Sequence, residues 1–128
     1  MLEQMRDMPV GTIGFEAYGK VEDDDFEDAV EPVLRAEIAA GRKIRLLYLL
    51  GPELREYEGD TLGEEMKFAA RHPTSYERVA VVSDEDWLRP ALRVLSVLVP
   101  GQLRAFPVAQ LAAAREWLSP AAGAGDKA

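Results

Sequence analysis

Two short apolar runs, residues 44–50 and 79–82, each lie between a basic or polar entry and an exit of turn-forming and acidic residues, and each leads into a helix-like segment. That rhythm predicts buried parallel strands alternating with helices. Upstream, Ile13, Phe15 and Ala17 alternate with Thr12, Glu16, Tyr18 and Lys20. The period of two predicts a half-buried strand over 12–21, paired across Pro9, Val10 and Gly11 with a weak first strand within residues 1–8. Behind the acidic run Glu22-Asp23-Asp24-Asp25, the residues Phe26, Ala29, Val30, Val33, Leu34 and Ile38 recur at helical spacing as far as Gly41. This predicts a first helix with an acidic opening turn and a kink at Pro32. A strand over 43–50, a turn-rich loop over 51–59 and a second helix over 61–71, ended by His72-Pro73, follow. A strand over 78–83 then enters a third helix over 84–99, stopped by Pro100-Gly101. A short strand over 103–106 and a helix over 108–118 close the pattern. Residues 1–119 read as one domain, and the small, turn-rich tail over 120–128 is predicted to be disordered.

The third helix departs from the ordinary amphipathic pattern. At 100° per residue, Arg89, Arg93 and Ser96 form one narrow polar stripe, while apolar residues from Trp87 to Val99 cover an arc of roughly 220°. A helix lying on one sheet face needs only about half of that. The excess calls for a neighbouring helix, a second subunit or an apolar ligand. The expected ligand or partner surface is therefore Trp87, Leu88, Leu92, Leu95 and Leu98, with Phe68 from the second helix.

Composition narrows the classes of function. A net charge of −8 and a pI near 4.7 argue against phosphate-backbone binding, and so against DNA or RNA as partner. Without cysteine the 128 residues offer no disulfide, thiolate or Cys-based zinc chemistry, which suits the cytoplasm. Residues 1–10 lack the layout of a targeting segment, and no apolar run is long enough to span a bilayer.

Candidate chemistry is sparse. The acidic run Glu22 to Asp25 lacks the spacing and central glycine of a calcium loop and reads as helix capping. His72 is the only imidazole, and its place at a helix end fits a structural role; no metal site is expected. Ser83 and Asp84 sit where open α/β sheets often hold ligands, yet either reads as the N-cap of the third helix. No serine lies in a nucleophile elbow, and no glycine-rich phosphate turn follows either strand. No catalytic residue and no cofactor is expected. The carboxylates Glu53, Glu56, Glu58, Asp60, Glu64 and Glu65 crowd the region after the central strand, so a small carboxylate-dependent enzyme is the alternative.

Several phrases, in order, resemble a known family: Lys43-Ile44-Arg45-Leu46-Leu47; Glu65-Met66-Lys67-Phe68 with His72; Tyr76 to Asp84 with Trp87; and Ala114-Arg115-Glu116-Trp117-Leu118. They are similar to the bacterial SpoIIAA-like proteins, relatives of the STAS domain and of lipid-transfer domains of the CRAL-TRIO type. The resemblance implies an α/β fold with a mixed sheet of about five strands, the first antiparallel and the rest largely parallel, flanked by four helices. It further implies a non-catalytic binding or regulatory module, with a homodimer, a protein partner or an apolar small molecule or lipid as the expected partner. STAS regulators carry a phosphorylatable serine in the turn that opens the helix after the central strand, and Thr61 in Gly59-Asp60-Thr61-Leu62-Gly63 occupies the matching position. A phosphate there would meet free amides and a helix dipole, but Asp60 or Thr61 also reads as an N-cap, with Glu64 completing a capping box from Thr61.

Overall fold

The two apolar runs lie side by side at the centre of the sheet. The computed structural model describes residues 1–98 and 102–120, apart from the side chains of Leu95 and Leu98. Its strands are β1 (Leu2–Gln4), β2 (Ile13–Ala17), β3 (Gly19–Val21), β4 (Ile44–Leu50), β5 (Leu54–Tyr57), β6 (Tyr76–Ser83) and β7 (Gln102–Phe106). The main sheet has the order β1-β2-β4-β6-β7, with β1 antiparallel to β2 and all other pairs parallel. Its helices are α1 (Asp23–Asp25), continued by a π-helical stretch (Phe26–Val30) into α2 (Glu31–Ala39), then α3 (Gly59–Arg71), α4 (Leu88–Leu98) and α5 (Leu111–Leu118). Counting 23–39 as one segment gives four helices around a mixed five-stranded sheet, as the family resemblance implies.

Burial on both faces explains why the central strands read as continuous apolar runs. One face of β4 and β6 presents Leu46, Leu50, Val79 and Val81 to Phe26, Val30, Leu34 and Phe68 of the helices. The other presents Leu47, Leu49, Ala80 and Val82, which pack with Phe106 beneath Ala114 and Leu118 of α5.

Four local expectations change. The predicted strand over 12–21 breaks after Ala17. Gly19 takes a φ of +55°, a left-handed conformation cheap only for glycine, and the chain leaves the main sheet there. β3 then pairs in parallel with β5, where a loop was expected, and the two form a small sheet of their own. At Pro32 the preceding turn widens into the π-helical stretch, which accommodates a residue that has no N–H and crowds the carbonyl four back. The third helix begins at Leu88, four residues later than expected. Neither Ser83 nor Asp84 caps it: the Glu85 amide donates to Ser83 Oγ at 3.0 Å, and the Val108 amide donates to Asp84 Oδ1 at 3.1 Å. Finally, α3 starts at Gly59 with Glu58 before it, so Thr61 lies inside the helix and forms no capping box. The acidic run does cap its helix, the Glu22 amide donating to Asp25 Oδ2 at 2.8 Å. Val99 and the predicted disordered tail over 121–128 lie outside the described residues.

Candidate functional site

Helix α3 turns a stripe of Leu62, Glu65, Met66 and Ala69 toward α4, with the spacing of three and four that puts residues on one helix face. α4 answers with Leu88, Ala91 and Leu92, and the two helices do not close over the sheet between them. What remains is an open-mouthed chamber of about 70 Å³. Its floor is Leu46, Tyr48 and Leu50 of β4 with Tyr76, Val79 and Val81 of β6. Phe26 and Tyr57 close its ends, and Trp87, 42% exposed, stands at the rim. Its lining matches that of small-molecule sites, which are mostly apolar with few polar groups.

The polar side chains of the lining are Glu65, three tyrosines and Trp87, and two of the phenols meet the carboxyl. Tyr57 donates its hydroxyl to Glu65 Oε1, and Tyr48 donates to the same carboxyl. Burial pushes the Glu65 carboxyl up to about 7, and the hydrogen bonds from Tyr57 and Tyr48 only partly counter it. Among the described residues no Lys, Arg or His lines the chamber or holds that carboxyl down. Burial first, and then the charge of Glu65, also raise the hydroxyls of Tyr48, Tyr57 and Tyr76 above the usual phenol range. All three remain protonated donors at neutral pH. Tyr57 and Trp87 stand with ring centroids 6.0 Å apart and planes tilted by 46°, two adjoining walls of one corner.

The expected surface residues divide. Trp87, Leu88 and Leu92 line the chamber. Phe68 does not: it is 3% exposed and packs edge-on against Phe26 at 5.9 Å and against His72 at 4.7 Å, with the Arg35 guanidinium over its ring at 5.2 Å. It belongs to the core between α3 and the first helix. The side chains of Leu95 and Leu98 lie outside the described residues. Thr61 is fully buried, and its hydroxyl donates to Asp23 Oδ1 at 3.1 Å, a tie between the first turns of two helices. In this conformation its hydroxyl is out of an enzyme's reach. His72 ends α3 and covers Phe68, the structural place its position predicts.

The other crowded carboxylates do not enter the chamber. Lys20 Nζ lies 3.2 Å from Glu58, 3.4 Å from Glu22 and 3.7 Å from Glu56, Glu64 pairs with Lys67 at 3.5 Å, and Glu53 and Asp60 are exposed. Among the described residues Glu65 is the only carboxylate in the chamber, so acid and base are not paired there. Sequence reasoning counted Glu65 only among the crowded carboxylates and missed Tyr48, Tyr57 and Tyr76 as site residues. The available signal was a carboxylate on the apolar stripe of the second helix, a polar residue where the pattern demands an apolar one.

The comparisons with known proteins agree with this architecture. The sequence profile of the SpoIIAA-like family matches residues 12–119. No curated protein matches the chain. Among solved structures, an uncharacterized protein with a SpoIIAA-like fold from Shewanella loihica PV-4 is similar, with a TM-score of 0.69 and 23% identity over 92% of each chain. At that identity the likeness establishes the fold alone. Among the described residues no helix is long and apolar enough to cross a membrane.

Proposed function

Because the chain belongs to the SpoIIAA-like family, we propose that it is a non-catalytic, STAS-like binding module that holds a small apolar ligand in the chamber between α3 and α4. The observation that carries this reading is an open-mouthed apolar cavity framed by two helices and two strands, with one carboxyl held by two phenols. Apolar walls supply affinity through the surface they remove from water, and the fixed carboxyl supplies orientation. The carboxylate-dependent enzyme finds less support, since a general acid and base would need a second titratable group within reach of the first. A Thr61 phosphoswitch also fares poorly, because phosphate would have to enter a closed contact beside Asp23.

Titration with the fluorescent apolar probe 1-aminoanthracene tests the reading. Enhanced emission at a one-to-one stoichiometry, lost in Ala91→Phe and Leu92→Trp variants that fold normally, is the expected result. Emission unchanged by filling the chamber would refute it.

A second reading has its own observation. Val94 is 52% and Val97 83% exposed on α4, apolar residues turned away from the chamber. They favour a second copy of the chain, or a protein partner, on the outer side of that helix. Sedimentation of a V94E/V97E variant checks it: a dimer that becomes monomeric supports the contact, and a wild-type monomer at micromolar concentration dismisses the homodimer.

A further inference from the structure

We propose that the occupant of the chamber is a cation on an apolar body, an amine or quaternary ammonium, held by the Glu65 carboxylate and the aromatic faces around it. The inference rests on the binding reading above and narrows it to one chemical class.

Three independent features converge on that class. The first is an uncompensated acid. Glu65 sits among apolar and aromatic residues, and among the described residues no Lys, Arg or His joins the lining. Two phenols orient and hydrogen-bond the carboxylate but cannot neutralise it, and a buried charge without an opposite charge is costly. An ionised carboxylate accepts up to about four hydrogen bonds, so Tyr48 and Tyr57 leave room for the N–H of an amine or the ionic approach of a quaternary ammonium. The second is the wall. Tyr48, Tyr57, Tyr76 and Trp87 all line the chamber, and the Tyr57 and Trp87 rings meet as the tilted sides of a corner. Aromatic faces are electron-rich and attract ammonium groups, most strongly where water is excluded. The third is the field of the whole chain, whose net charge of −8 draws cations and repels anions.

The alternatives satisfy fewer of these groups. A fatty acid or a phosphate would bring a second negative charge beside Glu65, with no cation among the described lining residues to receive it. An uncharged hydrocarbon would fill the volume yet leave the carboxyl no better compensated than before. An apolar ammonium meets the walls with its body and the carboxylate with its charge.

The experiment compares two probes of nearly one shape, phenyltrimethylammonium and its uncharged carbon isostere tert-butylbenzene, titrated into the full chain at about pH 8 and followed by protein NMR. The cation is expected to bind about tenfold or more tightly than the isostere, and Glu65→Gln to remove most of that preference while keeping affinity for tert-butylbenzene. Equal affinities in the wild type would overturn the charge inference and leave the apolar-ligand reading standing. Failure of both probes to bind would overturn both. A preference that survives in Glu65→Gln would overturn the assignment to Glu65. Should that variant fail to fold, Trp87→Leu serves in its place: it is expected to weaken the cation more than the isostere, and equal weakening would count against the aromatic walls.

Discussion

Replacing Glu65 by glutamine should flatten a pH dependence of stability that the wild-type chain carries. In the folded chain the carboxyl stands at about 7, against an ordinary value of 4.5 once unfolding returns it to water. Between those values the folded state keeps a proton that the unfolded state has already released. The unfolded state therefore binds fewer protons, and stability falls as pH rises through this window, levelling off above about 7. The whole gap corresponds to about 3 kcal/mol, of which roughly 2.5 kcal/mol falls between pH 5 and pH 8. Glutamine has nearly the same shape and does not titrate. Any cost from its amide is the same at every pH and cancels from the slope. The difference in unfolding free energy, Glu65→Gln minus wild type, should thus rise by about 2.5 kcal/mol from pH 5 to pH 8, or roughly 10 °C in relative Tm. Urea unfolding followed by circular dichroism at unit steps of pH measures it directly, and the remaining carboxylates cancel between the two proteins. A difference that stays flat across the range would show that Glu65 is well hydrated, and the burial of its carboxyl would have to be given up.

Other substitutions separate the core from the site. Phe68→Ala should lose about 3–5 kcal/mol of stability, because the ring is buried against Phe26 and His72, and a version that still folds should bind 1-aminoanthracene as the wild type does. Thr61→Val should cost about 1 kcal/mol in chemical denaturation by removing the hydroxyl bond to Asp23 without opening a cavity. Phosphopeptide mapping of protein from its native cells should find Thr61 unmodified. Gly14→Val should cost about 1–3 kcal/mol in the same assay, since a Cβ there comes within 2.7 Å of Met8 Sδ and 3.1 Å of Met5 Sδ beneath β2.

Much of this fold is legible in the sequence because its central strands are buried on both sides. Runs such as Leu46-Leu47 and Val79-Ala80-Val81-Val82 have no polar face to obscure them, and their neighbours in the sheet are each other. Features that depend on short or irregular pairing are not legible. β5 is four residues long, half polar, and pairs with β3 through a register shift, so nothing in Leu54 to Tyr57 repeats with a clear period. The π-helical stretch before Pro32 likewise leaves no trace in hydrophobic spacing.

The site was half legible for a related reason. The excess apolar arc of the third helix points to Trp87, Leu88 and Leu92, and these do line the chamber. Phe68 misleads because it lies about 60° around α3 from Glu65 on the opposite side from Leu62 and Ala69, which turns it toward the first helix. Glu65 hides among five other acids when the chain is read by position alone. On a helical projection it falls between Phe68 and Ala69, inside the apolar stripe. Tyr48 hides differently: in a strand of leucines a tyrosine reads as one more large apolar residue, and only the tertiary arrangement brings its hydroxyl to a carboxyl.

Two-dimensional NMR of the isotopically labelled chain titrated with phenyltrimethylammonium tests the central claim most directly, since it reports occupancy and location together. The account predicts saturable shifts at the Trp87 indole N–H and at the methyl groups of Leu46, Leu50, Leu88 and Leu92, with Leu47, Leu49 and Leu118 on the far face of the sheet unmoved. Shifts centred on the α5 face, or none at any of these residues, would contradict it.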